Sequence, residues 1–590
     1  MKRFLALNSN ESRWNLKAPL LFIDEKCCKK ERNFFLSNID YKIAIPYGID
    51  SEKRDNDLNY IDSLFFKLIK EISSLLNEVH KLEYPESFWQ IIVGPWLENY
   101  LIVVFNRFNK IKNAIQNYDL SGVNIINTKN KLLVTEDTIS LSRACLNQYW
   151  NEVLYSKILE TMKSKIEIKY INNDEKLYYF NFKKELNSKE TFTSKSKNYL
   201  SYILKYFKRD DDAFIISSYL PFIQQMKLYL NLKQVPQIWK SPEIIYRSYN
   251  INLRKKFLLS NKNFGEFEKF VRTDIPFSIP ICFLEGFNEL LDVVSKLPWP
   301  RKPKFIFTSN NHDYDEVFKL WTAQKREKNV PYFIGQHGTV SYKGTLLHDK
   351  VRSPDKVIGW GENGWGMNKN GFNLKLVGQN FKHDNNGNLL ILIAPITTDR
   401  KIWDKILDNE LNQEWLRKLI SNLPKKILKK TILRLPHSYK NHSFIPYESI
   451  KKDFPEIKFD FHEKKLKQLF AKSRLVIHCY DSTGILETIS SNIPTMCIWP
   501  NTFAHMVNDY RKYYELLIEA KILANNPEEL SSCIINNWDD PDKWMRNTIL
   551  KEKVDKFLYK FSNFPPKYAT KKLAQHLLNV AIQHNKSIKF

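Results

Sequence analysis

Glycine is scarce, at 16 of 590 residues. A glycine-rich phosphate loop would stand out against that background, and none does. There is no Walker A run and no G-x-G-x-x-G, which disfavours a P-loop kinase or a dinucleotide-binding dehydrogenase. Cysteine is also rare. The seven residues Cys27, Cys28, Cys145, Cys282, Cys479, Cys497 and Cys533 are odd in number and mostly isolated. Several lie inside apolar runs, as reduced core thiols do, and no CxxC or Cys/His spacing points to zinc. No apolar run approaches the roughly 18 residues of a membrane-spanning helix. The first residues, MKRFLALNSNESRW, hold only a four-residue apolar run, too short for a signal peptide. No solenoid period recurs. These absences favour a cytoplasmic chain, with peripheral contact on the inner face of the cytoplasmic membrane left open.

What is present is apolar content of 43%, aromatic content of 14% and a net charge of +26. The length suggests roughly three to four domains, or two large ones. A basic chain favours anionic partners. Here the excess is mostly Lys spread along the sequence beside abundant Asn and Ile. An A/T-rich genome would produce the same bias, so it identifies no function.

The most informative stretch is Ser473 to Trp499, SRLVIHCYDSTGILETISSNIPTMCIW. Leu475 to Cys479 reads as a buried strand. Asp481-Ser482-Thr483-Gly484 reads as a loop and helix start. A helix from about Ile485 to Ser491 and a strand from Thr495 to Trp499 follow. A helix N-terminus beyond a strand's carboxyl end presents N–H groups and a positive dipole end to an anion. Ser482 and Thr483 add hydroxyls, and Glu487, one turn on, could accept bonds from ribose. This is the form of a nucleotide-phosphate site in an open α/β sheet. The alternative is that Ser482 and Thr483 merely cap a helix.

Earlier in the chain, Ala18 to Asp24 and Tyr41 to Tyr47 read as buried strands, and Ile61 to Val79 as an amphipathic helix. Trp89 to Arg107 reads as a strand, a Gly94-Pro95 turn and a helix, with Trp96 as a core anchor. From about Asn130 to Asn198 the chain is polar and Lys-rich, and helical material continues to about Ser295. Strands alternate with helices from Lys304. Lys375 to Gly378 reads as an edge or linker strand. A second α/β block opens at Asn388, with strands at Thr431 to Leu435 and Ile457 to Phe461. Residues after Trp538 read as helical. A hinge is expected between about Gly361 and Gly387. The expectation is therefore an α/β protein of two Rossmann-like domains facing a cleft. The first, 1–380, is enlarged by a helical insertion over about 130–300; the second, 381–590, binds the nucleotide and ends in helices.

Four loops after strands would face that cleft. Gly335-Gln336-His337-Gly338 offers His337 as a general base or a stabiliser of a leaving phosphate, its glycines allowing close approach; the alternative is a histidine bonded within a tight turn. Thr397-Thr398-Asp399-Arg400 offers Arg400 as a phosphate clamp or a surface arginine. Arg434-Leu435-Pro436-His437 offers Arg434 and His437 to a nucleotide. The DSTG stretch adds His478, Asp481, Ser482, Thr483, Gly484 and Glu487, and His505 and Asp509 follow the next strand. Asp313-Tyr314-Asp315 resembles a metal-binding DxD, but Asp315 also suits a helix start, and Asp210-Asp211-Asp212 precedes its strand. No divalent metal and no cofactor are expected.

The combination of Glu11 to Trp14 before LLFID, LNEVH at Leu76, FWQIIVGPWL at Phe88 leading to Asn106-Arg107, GQHG at Gly335, SRLVIHCYDSTGILETISSNIPT at Ser473 and the tail from Trp538 to Phe557 resembles a family of leptospiral-type transferases. The family occurs with bacterial O-antigen and other surface-polysaccharide genes. It is similar in layout to two-domain GT-B glycosyltransferases. The resemblance implies a nucleotide-sugar donor held mainly by the second domain without an essential metal, and a glycan or lipid-linked acceptor on the first. Some related enzymes transfer acidic keto-sugars from CMP donors using a Pro/His segment and a Ser/Thr pair. Arg434 to His437 and Ser482-Thr483 are loose analogues, so a CMP-keto-sugar is one donor expectation. The rivals are a sugar-nucleotide epimerase on the same architecture and a non-enzymatic basic protein binding polyanions. No nucleic-acid partner is expected: the best basic cluster, Lys425 to Lys430, reads as a solvated patch, open to a membrane-facing role.

Overall fold

The computed structural model describes residues 2–24, 27, 39–48, 51–129, 132–162, 166–171, 204–260, 263–338, 353–393, 403–404, 409–435, 447–500, 503, 506 and 508–587. It carries three parallel sheets. In the first, β1 (Arg3–Ala6), β2 (Leu20–Phe22), β3 (Tyr41–Ile43), β4 (Leu120–Ile126) and β5 (Ile168–Ile171) lie in the order β3-β2-β1-β4-β5. In the second, β6 (Phe214–Ile216), β7 (Ile306–Thr308), β8 (Tyr332–Gly335) and β9 (Lys356–Ile358) lie in chain order. The third places β10 (Asn388–Leu392), β11 (Thr431–Arg434), β12 (Lys458–Asp460), β13 (Ser473–His478), β14 (Thr495–Ile498) and β15 (Leu523–Ala524) in the order β12-β11-β10-β13-β14-β15. Apolar, β-branched runs such as LVIH are buried along their length, as central parallel strands are. The fold is mixed α/β, and loops beyond the carboxyl ends of the second and third sheets approach one another. The N-terminal sheet is additional to that pair.

Two long helices cover the N-terminal sheet, α1 (Ser51–His80) and α2 (Glu86–Asn117). The strand and turn expected from Trp89 to Pro95 are absent; α2 runs straight through Gly94 and Pro95. Phe88, Trp89, Ile92, Trp96 and Leu97 are all wholly buried there. A helix that is apolar all round is a core helix, and packing on every side outweighs the missing N–H of Pro95. By length and composition α2 could cross a membrane, but 83% of its most apolar window is buried inside the protein. The segment Asp315 to Lys328 forms α3 (Glu316–Arg326). The expected edge strand at Lys375 is instead a single 3-10 turn, Leu374–Leu376, started by the Asn373 side chain accepting from the Lys375 N–H.

In the third sheet's domain, α4 (Thr483–Ser490) follows β13 and α5 (Asn508–Glu519) follows β14. The tail bridges that domain and the second sheet's: α6 (Thr548–Phe561) packs against α5 and α4, and α7 (Ala569–Ser587) packs against the helix Phe222–Asn231. One apolar core joins Phe307, Phe333 and Ile358 of the second sheet, Trp360 and Phe372 of the connecting segment, Leu486 of α4, and Phe557 and Leu573 of the tail. Polar bonds follow the same path. Asn563 N–H donates to the Trp360 carbonyl at 2.9 Å, and the Asn373 amide donates to Ser562 Oγ at 3.0 Å. The expected hinge segment is therefore clamped by the end of the chain.

Candidate active site in the cleft

The carboxyl ends of β8 and β13 face each other, and the GQHG and DSTG loops meet. A Cβ placed on Gly338 would lie 2.4 Å from Thr483 Oγ1. Any side chain at 338 would therefore require the Thr483 side chain or one of the loops to shift. Gly335 is tight for a different reason: a Cβ there would meet Ser309 Oγ, after β7, at 2.2 Å. Gln336 holds the loop's shape, donating to the Gly338 carbonyl and accepting from the Trp360 N–H, both at 2.8 Å.

His337 is half-buried and oriented. Its Nδ1 lies 3.3 Å from the Ser309 carbonyl, and Tyr219 Oη lies 3.0 Å from the ring. A carbonyl only accepts, so the bond to Ser309 requires the proton on Nδ1, and Nε2 is then the acceptor for the Tyr219 hydroxyl. Tyr219 was not foreseen. It stands three residues beyond β6, where Ser217 and Tyr219 both take positive φ, 47° and 63°. Such conformations cost about 1–2 kcal/mol for an L-residue, and here they turn the phenol toward His337. Burial, with help from Asp313, pushes the Tyr219 hydroxyl up to about 12, so it stays protonated.

Lys375 is the other residue missed. Its ammonium lies 3.3 Å from Glu487 Oε1 and 5.1 Å from the Tyr219 ring centroid. It links the connecting segment, the second sheet and α4. Reading this segment as a strand concealed it; only a lysine flanked by buried Leu374 and Leu376 hinted at an inward-facing cation.

In the DSTG loop, Ser482 is the residue before α4, but its side chain does not cap the helix. Its Oγ bonds His478 Nδ1 at 3.0 Å instead. The bland reading of Ser482 as a side-chain cap is thus replaced, and α4 starts toward the cleft with no side-chain oxygen on its first N–H groups. Thr483, Gly484 and Glu487 are half-buried around this end. Asp481 accepts from Tyr514 Oη of α5 at 3.1 Å, which braces the loop.

Two expected donor contacts take other roles. His478 is wholly buried, with Nε2 3.3 Å from Thr488 Oγ1, and burial holds its pKa down at about 3. It supports the loop from beneath as a neutral ring. Arg434 is committed to its own sheet, with Nη1 2.6 Å from Asp460 and Nη2 2.8 Å from His462 Nδ1. Strand pairing sets Arg434 beside Asp460, and the carboxylate captures the guanidinium. Arg400, His437 and His505 lie outside the described residues, and Asp509 is exposed in the first turn of α5. Asp315 starts α3, accepting from the Phe318 N–H at 3.0 Å. Among the described residues no group of three or more His, Cys, Asp or Glu is arranged to hold a metal.

This constellation belongs to an α/β protein with a ligand cleft between the carboxyl ends of two parallel sheets. The model of the LIC12162 family of transferases matches residues 3–577, so the chain belongs to that family and is a transferase. No curated protein matches the sequence. Among solved structures, a protein assigned as a UDP-N-acetylglucosamine 2-epimerase from Listeria monocytogenes is similar over 63% of this chain and 96% of its own, at 11% identity and a TM-score of 0.33. The spinosyn rhamnosyltransferase SpnG is similar over 50% of this chain and 76% of its own, at 10% identity and a TM-score of 0.28.

Proposed function

We propose that the chain is a glycosyltransferase. It moves a sugar from a nucleotide-sugar donor to a surface-glycan or lipid-linked acceptor, without an essential metal. The observation that carries this reading is the meeting of the GQHG loop, at Gly338, with Thr483 across the cleft. A transferase that displaces a nucleotide needs two things in one place: a receptor for the phosphate's growing negative charge and a base for the acceptor hydroxyl. The N-terminus of α4 with Thr483, Ser482 and the Lys375 ammonium supplies the first. His337 supplies the second, its ring fixed by Ser309 and Tyr219. Glu487 is then placed for ribose, exchanging its bond to Lys375 for one to a hydroxyl. Surface-polysaccharide or O-antigen assembly at the cytoplasmic face of the membrane suits a phosphate-activated donor, and a CMP-keto-sugar is one candidate.

A thermal-shift screen against CMP, CDP, UDP, GDP and their sugars, with and without EDTA, tests the reading, because a ligand of the folded state raises the midpoint by mass action. One nucleotide should shift the midpoint regardless of EDTA, and Thr483→Val and Glu487→Ala should lose the shift. A shift abolished by EDTA would refute metal independence. No shift with any nucleotide would transfer support to polyanion binding.

A further inference from the structure

A second polar cavity lies away from the cleft, on the outer side of edge strand β9. It encloses about 400 Å³ between the Trp360–Asn370 segment and α7. Lys356, Lys369 and Lys586 line it, and no carboxylate does among the described residues. Its wall is an aromatic stack, with the His576 ring lying on Trp365 at 4.6 Å and 16°. Both rings are more than nine-tenths buried, and among the described residues neither His576 Nε2 nor Trp365 Nε1 has a hydrogen-bond partner. Buried donors and acceptors are nearly always satisfied, so two orphans in one cavity wall need a cause. Burial first, and then the Lys356 and Lys369 charges, hold His576 down at about 4.

A bound anion answers all of these features. It neutralises three lysines that otherwise repel one another, and it gives the indole N–H and an imidazole N–H an acceptor. The cavity admits a phosphate or diphosphate with room for a substituent. Met367, beside it, is 86% exposed, and Ile582 of α7 is also exposed, which leaves the substituent's side open to solvent or to acyl chains. We infer that the cavity formed by Lys356, Trp365, Lys369, His576 and Lys586 is a second, phosphate-binding site. It takes the phosphate group of a lipid headgroup or of a soluble phosphate ester. This site is independent of the donor reading of the cleft.

Pyrophosphate titration by calorimetry tests the inference, in the whole chain and in two variants. Lys369→Gln/Lys586→Gln alters exposed lysines and leaves the core intact; His576→Gln probes the wall. A Lys571→Gln/Lys572→Gln chain, with the same charge removed elsewhere on α7, is the control. The lysine-pair variant and His576→Gln should each bind pyrophosphate at least tenfold more weakly, while the control stays within twofold. The nucleotide-induced thermal shift should not change in the lysine-pair variant, so failure here and failure of the cleft reading are separable. Flotation with phosphatidylcholine vesicles, with or without phosphatidylglycerol, distinguishes the sources. Flotation with anionic vesicles that is lost in the lysine-pair variant identifies a lipid headgroup; pyrophosphate binding without flotation identifies a soluble phosphate ester. Equal weakening in the control, or no weakening in either site variant, would overturn the inference.

Discussion

His337 has one nitrogen set toward a carbonyl and the Tyr219 hydroxyl 3.0 Å from both ring nitrogens, an arrangement that fixes the ring beside the cleft loops. On the proposed reading, His337→Ala should lower kcat by roughly 10²–10⁴-fold, the usual worth of a positioned base, and leave the nucleotide thermal shift intact. Loss of the shift along with kcat would instead place His337 in donor binding. His478 makes a prediction about stability. Its folded pKa of about 3 lies below the ordinary 6.5. The unfolded chain therefore binds the extra proton first, and the stability from the neutral buried ring, full above about pH 6.5, is lost as pH falls toward 3. One proton corresponds to a slope of about 1.4 kcal/mol per pH unit. Denaturant midpoints between pH 6.5 and 4 should fall less steeply in His478→Asn than in the parent chain. Equal slopes would mean that this ring does not titrate as described.

At the scale of elements, close approach by glycine decides how the pieces join. A Cβ on Gly361 would lie 2.0 Å from the Lys560 carbonyl, a backbone atom that cannot step aside. Gly361→Ala should therefore cost about 1–3 kcal/mol, as overpacking does, and free the tail from the connecting segment. A lowered midpoint together with faster proteolysis after Phe561 would verify this; an unchanged midpoint would show that the clamp yields. The same elements show what was readable beforehand. The β13–α4–β14 unit was plain because buried strand runs alternate with polar turn residues there. The GQHG loop was visible from its flanking glycines. The passage of α2 through Pro95 was not legible, since an all-apolar run has no period to separate strand from buried helix. Tyr219 and Lys375 were missed because their roles depend on a left-handed backbone and a 3-10 turn, neither of which leaves a hydrophobic pattern. Arg434 misled because a strand-end arginine reads the same whether a phosphate or a neighbouring aspartate holds it.

At the scale of the whole molecule, two of the ties among the described residues join elements far apart in the chain. One is the tail. The other is Trp403-Asp404, which follows the third sheet's first strand and docks on the N-terminal domain. Asp404 accepts from the Tyr47 N–H at 2.9 Å and lies 3.1 Å from Lys110 Nζ of α2, while Trp403 Nε1 donates to Asp57 at 3.1 Å. Lys110 is buried and kept charged by Asp24 and Asp404. Removing one partner of a buried ion pair is expensive, so Asp404→Ala should destabilise the chain by about 3 kcal/mol, read as a shift in denaturant midpoint. Neither tie was apparent from the sequence, because both join residues far apart in the chain, the tail through an apolar core with polar bonds and Trp403-Asp404 through polar contacts.

The central claim is that a nucleotide's phosphate docks at the start of α4, where the GQHG loop meets it. Hydrogen–deuterium exchange with and without the nucleotide that gives the largest thermal shift tests it most directly. The account predicts that peptides covering 335–338 and 481–487 gain protection together, at the same nucleotide concentration. Protection confined to other segments, or to one of these two alone, would contradict it.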